Sequence, residues 1–302
     1  MAHLADSRFA RPTRTGELDT IEICHPGFQA TIALQGAHLI RFAPSGEQSW
    51  LWLSPTARFA QGRAIRGGIP VCWPWFGDPA RNPGAVRSLF EAHDLPAHGF
   101  ARTALWSLAE LQESESGVTV SLTLAPSVQH LTLWRGRART RLTFRFRPDS
   151  LSLALTTDNT GDKPLAFTQA LHTYLPTDDI ARTTLSGLEG AAYLETLENW
   201  QPKQQQGKVN FESETDRIYQ AAPEINVEAG NRGFRLTAGG SGSTVVWNPG
   251  PEKARRLSDF PDDGWTGMLC VETANAVDDF RELAPGQSHT LTMTLRTISA
   301  DR

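Results

Sequence analysis

Along much of this chain apolar residues recur at every second position, and that period belongs to strands rather than helices. Leu142, Phe144 and Phe146 alternate with Thr143, Arg145 and Arg147. Leu151, Leu153 and Leu155 alternate with Ser152, Ala154 and Thr156. Leu291, Met293 and Leu295 sit among Thr290, Thr292 and Thr294, and Val118, Val120, Leu122 and Leu124 follow the same rule. Successive strand side chains point to opposite faces, so each segment buries one face and wets the other. The junctions carry turn chemistry, Arg147-Pro-Asp-Ser150 and then Asp158-Asn-Thr-Gly161. The pattern predicts an antiparallel hairpin over Leu142–Thr157 and a turn over Asp158–Lys163. Tyr193–Trp200 reads as a short helix. The 25 glycines and 19 prolines are scattered along all 302 residues, so no linker divides the chain. We expect a single all-β domain over residues 1–302, a large antiparallel β-sandwich.

A formal net charge of −4 lacks the basic excess of a nucleic-acid binder, and none is expected as a partner. Cys24, Cys72 and Cys270 are odd in number and widely spaced, which argues against a disulfide framework or a structural zinc site. No signal-peptide core or membrane-length apolar run is visible, so a cytoplasmic protein without a membrane partner is expected. His93, His98 and His172 lack metal-ligand spacing, and the Gly-x-Ser-x-Gly, P-loop and Rossmann fingerprints are missing. We therefore expect neither a metal nor an organic cofactor.

Two stretches break the strand rhythm, Arg66-Gly-Gly-Ile-Pro-Val-Cys-Trp-Pro-Trp-Phe-Gly77 and Leu95-Pro-Ala-His-Gly-Phe-Ala-Arg102. Loops on a rigid scaffold are where function usually sits. Arg66 precedes paired glycines that let the backbone approach a ligand, and its guanidinium offers a planar fork for phosphate. A surface arginine on a β-bulge is the plainer reading. Arg102 offers a second fork, or a solvated side chain at a strand start. His172 sits in a strand-like run and reads either as a core histidine or as an acid/base group. Glu272 lies within the apolar run Leu269-Cys-Val-Glu-Thr-Ala274, where an unpaired carboxylate is expensive to bury. Asp216 alone reads as an acidic turn before a strand. Trp73, Trp75 and Trp247 are candidates for sugar stacking or for the core.

Taken in order, Arg66-Gly-Gly-Ile-Pro-Val-Cys-Trp-Pro-Trp-Phe-Gly, Leu-Pro-Ala-His98-Gly-Phe-Ala-Arg102, Leu-His172-Thr-Tyr, Glu-Thr-Asp216-Arg-Ile-Tyr, Trp247-Asn-Pro-Gly and Cys-Val-Glu272-Thr-Ala-Asn resemble the glucose-6-phosphate 1-epimerases of the aldose 1-epimerase superfamily. The resemblance implies a cofactor-free enzyme interconverting the α and β anomers of a hexose 6-phosphate. It implies a monomer with an open concave site. It implies His172 as general acid and Glu272 as general base, with Arg66, Arg102 and Asp216 contacting substrate and His98 lining the pocket. The family usually has a polar residue, often Gln, where this chain has Ala97. Three alternatives stay open at this point: a 1-epimerase for a neutral sugar, a catalytically silent carbohydrate-binding sandwich, and a glycoside hydrolase using Glu272 with Asp216.

Overall fold

The computed structural model describes Leu4 and residues 6–298. Antiparallel sheets make up most of it. The predicted hairpin is there: Ala138–Arg147 pairs with Ser150–Asn159 across a turn at Pro148 and Asp149. These two strands lie within a nine-stranded sheet that also holds Gly117–Leu124 and Ser288–Ile298. The alternation does what the sequence period requires. Leu142, Phe144, Phe146, Leu151, Leu153 and Leu155 are almost fully buried, whereas Arg145 and Arg147 face water.

Opposite stands an eight-stranded sheet whose centre is the run Thr215–Tyr219, Ser243–Asn248, Met268–Asn275, Gln169–Leu171. Its inward residues, among them Val246, Leu269, Val271, Leu171 and Leu175, share one apolar cluster with the inward residues of the nine-stranded sheet. A four-stranded sheet, Ala10–Thr15 through His38–Pro44, closes the same core through Phe28 and Phe42, which pack on Phe146. Two packed sheets around one core make this a large antiparallel β-sandwich.

Every residue of Met268–Asn275 is buried, on both faces. The second face of this sheet is therefore covered too, by the loops that carry the site. The segment Tyr193–Trp200 is not a helix. Ala192–Glu195 is a strand paired on both sides, and only Thr196–Glu198 turns, as a single 3-10 turn. Tyr193 is buried against Tyr219 there, and that packing outweighs a weak local helix preference. Among the described residues no helix is long and apolar enough to cross a membrane. Cys24, Cys72 and Cys270 are all free.

Candidate active site

The outer face of the eight-stranded sheet is read off by register. Gln169–Leu171 and Tyr174–Pro176 both pair with Met268–Asn275, interrupted only at His172 and Thr173. The two flanking ladders keep one register, Leu171 opposite Thr273 and Tyr174 opposite Cys270. That register sets His172 opposite Glu272. At the break the His172 amide leaves the ladder and donates to the Pro70 carbonyl at 3.0 Å. His172 Nε2 then lies 3.3 Å from Glu272 Oε1, with side-chain exposures of 11% and 2%.

An ordinary ion pair would raise the imidazole and lower the carboxyl. Here burial does the reverse to both partners. It pushes Glu272 well above the usual carboxylate range, helped by the charge of Asp216. It pushes His172 well below the usual histidine range, with further lowering from His98, Arg102 and Arg66. We read the pair as holding one proton between two groups, with the neutral form favoured by desolvation. His172 Nδ1 and Glu272 Oε2 are buried without a hydrogen-bond partner. The imidazole stacks on Tyr174 at 4.8 Å and meets Trp247 edge-on at 6.0 Å, which fixes its plane.

All six residues singled out from the sequence, His172, Glu272, Arg66, Arg102, Asp216 and His98, line one cavity of about 450 Å³. His98 stands 5.8 Å from His172, ring centre to ring centre. Its Nδ1 accepts from the Gly77 amide at 3.3 Å, so in the neutral ring the proton sits on Nε2. Burial, then Arg102 and Arg66, push it down to about 3. His98 is therefore a neutral hydrogen-bond donor at any working pH. Arg66 is half-buried, and its Nε has no partner. Arg102 lies in a loop rather than at a strand start, and its Nη2 donates to the Ala97 carbonyl at 2.7 Å.

The paired glycines after Arg66 serve a different approach from the one expected. A Cβ on Gly67 would fall 2.6 Å from Leu53 Cα, and one on Gly68 would fall 2.3 Å from the Leu39 carbonyl oxygen. Both also have positive φ, +108° and +64°. Their smallness admits neighbouring backbone, and that packing aims Arg66 at the cavity. Asp216 is likewise no turn residue. It lies on the strand Thr215–Tyr219, opposite Trp247. Burial raises it, against the opposing pull of Lys253 at 3.7 Å.

Trp73 and Trp75 are fully buried in the core, whereas Trp247 lines the cavity. Lys253, Arg63 and Tyr174 also line it, and the sequence reading missed them. Lys253 comes from a short helix, Gly250–Ala254, and approaches the Trp247 ring at 5.9 Å. Its signal was the adjoining Trp247-Asn-Pro-Gly motif, three residues upstream. His93 is exposed and takes no part. Among the described residues no three His, Cys, Asp or Glu side chains are placed to hold a metal ion.

The arrangement sets a buried carboxyl–imidazole pair, a neutral donor and a group of cations around one small cavity. Residues 19–296 match the aldose 1-epimerase family profile. A candidate glucose-6-phosphate 1-epimerase of Escherichia coli K12 is 38% identical over 264 residues, 86% of this chain and 84% of its own length. One from Cenchrus ciliaris is 34% identical, covering 85% of this chain and 78% of its own. Among solved structures, a candidate mutarotase of Salmonella typhimurium aligns with a TM-score of 0.86 at 31% identity, over 97% of this chain and 95% of its own. By profile, identity and fold alike, the chain belongs to the aldose 1-epimerase family.

Proposed function

We propose that this chain interconverts the α and β anomers of a hexose 6-phosphate, with D-glucose 6-phosphate the first substrate to test. The observation that carries this reading is the His172–Glu272 pair, buried with Nε2 3.3 Å from Oε1 within a cavity that Arg66 and Arg102 also line. The relatives named above support the same chemistry and the same substrate.

The step needs one proton accepted and one donated. Proton transfer across the 3.3 Å contact places the pair as Glu272 carboxylate and His172 imidazolium. Glu272 takes the proton from the C1 hydroxyl, and His172 gives one to the ring oxygen O5. The C1–O5 bond breaks, leaving an aldehyde at C1 and a hydroxyl at C5. Rotation about C1–C2 presents the other face of the aldehyde. The O5 hydroxyl then adds back as its proton returns to His172 and Glu272 reprotonates the new O1. Atoms and charge balance, and no electron is transferred.

Phosphate has a second effect beyond anchoring. Arg66 and Arg102 both depress His172. A phosphate between their guanidiniums neutralises that field and moves the shared proton towards the imidazole. Binding and priming are then linked. His98 and Asp216 complete the ring's hydrogen bonds, as donor and acceptor. All six residues invoked line one cavity of a single chain, which suits a monomer. Its free cysteines fit a reducing cytoplasm.

The test is the anomer equilibration rate, by exchange NMR, on glucose 6-phosphate beside free glucose. Faster turnover of the phosphate ester supports the proposal. Preference for free glucose would overturn the phosphate assignment.

A further inference from the structure

The cavity does not end at Asp216 and Lys253. A second lobe of about 440 Å³ opens beyond them, floored by Phe76, Trp200, Ile218 and Val277 and edged by Asp78 and Arg81. Phe76, His98, Asp216 and Lys253 line both lobes, so the two are chambers of one groove. Beyond the shared His98 and Asp216, ring opening and closure use nothing in the second chamber.

The backbone around it is held in disfavoured conformations. Asn199 and Trp200 are consecutive residues at φ +56° and +62°, and Val277 stands at +55°. Such angles are disfavoured for every residue with a Cβ, and most of all for a β-branched one. They persist where the surrounding fold dictates them, and they gather where ligands bind. Here they have a visible result. The left-handed pair turns the chain between Thr196–Glu198 and Gln201–Gln204 and lays the Trp200 indole against the cluster of Ile218, Val245 and Ala274. Arg81 holds its guanidinium 5.4 Å above the indole. An aromatic and aliphatic floor with charged groups at its edge suits a sugar ring. The C–H face packs on the floor, and the hydroxyls bond the Arg81 fork and the Asp78 carboxylate.

The position of the reacting ring says which atom leads into this chamber. C1 and O5 must lie at Glu272 and His172. The C6 branch leaves the ring beside O5, and its phosphate stays with Arg66 and Arg102, which line the first lobe and not the second. C4 is the ring carbon opposite C1, and Asp216, at the boundary of the two lobes, lies across the sheet from the Glu272 strand. We infer that the second lobe is a subsite for a sugar residue carried on O4, so that the substrates include 4-O-glycosylated hexose 6-phosphates with a free reducing end. This rests on the hexose 6-phosphate reading above and extends it from a monosaccharide to a disaccharide class.

The probe is cellobiose phosphorylated on O6 of its reducing glucose, compared with glucose 6-phosphate by exchange NMR. Wild-type kcat/KM on the two should agree within about tenfold. W200A should lower the disaccharide value by about tenfold or more while changing glucose 6-phosphate less than about twofold. W200F, which keeps a flat ring against the same cluster, should restore most of the loss. R81A leaves the floor intact, so it tests the lobe even if W200A folds poorly, and it should lower the disaccharide value alone. A wild type that turns over glucose 6-phosphate but excludes the disaccharide overturns the inference. So does an equal loss on both substrates in W200A or R81A. A wild type inactive on glucose 6-phosphate removes the underlying reading, and this one with it.

Discussion

A carboxyl raised by burial and an imidazole lowered by it make an unusual pair of neighbours, since each has moved away from the charge its partner would favour. The explanation is that Glu272 and His172 share one proton in a dry site, where two charges cost more to desolvate than their attraction returns. Shape-preserving changes should expose this. E272Q and H172N each remove proton transfer and should lower kcat by about 10²-fold or more, the usual contribution of general acid–base catalysis. Their melting temperatures should stay near wild type, because neither variant buries an unpaired charge. A variant with near-normal kcat would strip that residue of its role. The two arginines should separate under mutation. Arg66 has a buried Nε with no partner, whereas Arg102 already donates to the Ala97 carbonyl and steadies the loop that carries His98. A charge-assisted hydrogen bond contributes about 1.5–3 kcal/mol. R66A should thus lower kcat/KM on glucose 6-phosphate about 10- to 100-fold with little change on free glucose. R102A should harm both sugars, because it also loosens His98. Equal behaviour of the two variants on the two sugars would show that the Ala97 contact carries no weight.

Loops and strands contribute to the site in different ways, and the sequence disclosed them unevenly. The strands were legible because period two survives any rearrangement of their partners. Tyr193–Trp200 was not, since its burial against Tyr219 is a long-range fact with no local signal. Asp216 looked like a turn residue because Glu212 and Glu214 precede it, yet only Asp216 occupies the strand position facing the cavity. Lys253 arrives from a short helix without periodicity of its own. The glycines after Arg66 were legible as a special backbone, but their purpose depended on strands that lie far away in sequence. One of those strands supplies His38, whose Nε2 donates to the Gly67 carbonyl at 2.7 Å while the ring is wholly buried. Burial pushes His38 down to about 4, with the Gly67 contact opposing. The neutral ring is the native form, so the stability it contributes is complete above the unfolded value near 6.5. It is lost as pH falls from there towards about 4, and no further below. Between pH 7.5 and pH 5 this amounts to about 2 kcal/mol. H38Q keeps an N–H donor and cannot titrate. Its urea midpoint should fall less than that of the wild type over the same interval; folded His98, also depressed, stays neutral there, and its protonation in the unfolded chain adds the same fall to both proteins. Parallel slopes would mean that the Gly67 loop is anchored elsewhere.

At the scale of the whole molecule, the site depends on how the sheets are joined. The eight-stranded sheet cannot present Glu272 on its outer face unless its inner face is covered, and the nine-stranded sheet supplies that cover. Val246, Leu269 and Val271 on one side and Phe144, Leu153 and Leu295 on the other belong to one apolar cluster. The four-stranded sheet enters the same cluster through Ile23, Phe28 and Phe42, and its last strand also holds the Arg66 loop through His38. Each sheet therefore borrows its buried face from another, and we propose that residues 6–298 unfold as one cooperative unit. Calorimetry should show a single transition whose van't Hoff and calorimetric enthalpies agree. Leu153→Ala, in the nine-stranded sheet and far from the cavity, removes a fully packed side chain and should cost about 2–5 kcal/mol. Under one cooperative unit that loss lowers the melting temperature of the whole protein, including the temperature at which glucose 6-phosphate turnover is lost, without altering KM at 25 °C. Two resolved transitions would contradict the proposal, as would an L153A variant whose activity survives to the wild-type temperature. Either result would mean that the sheet bearing His172 and Glu272 stands independently of the one packed behind it.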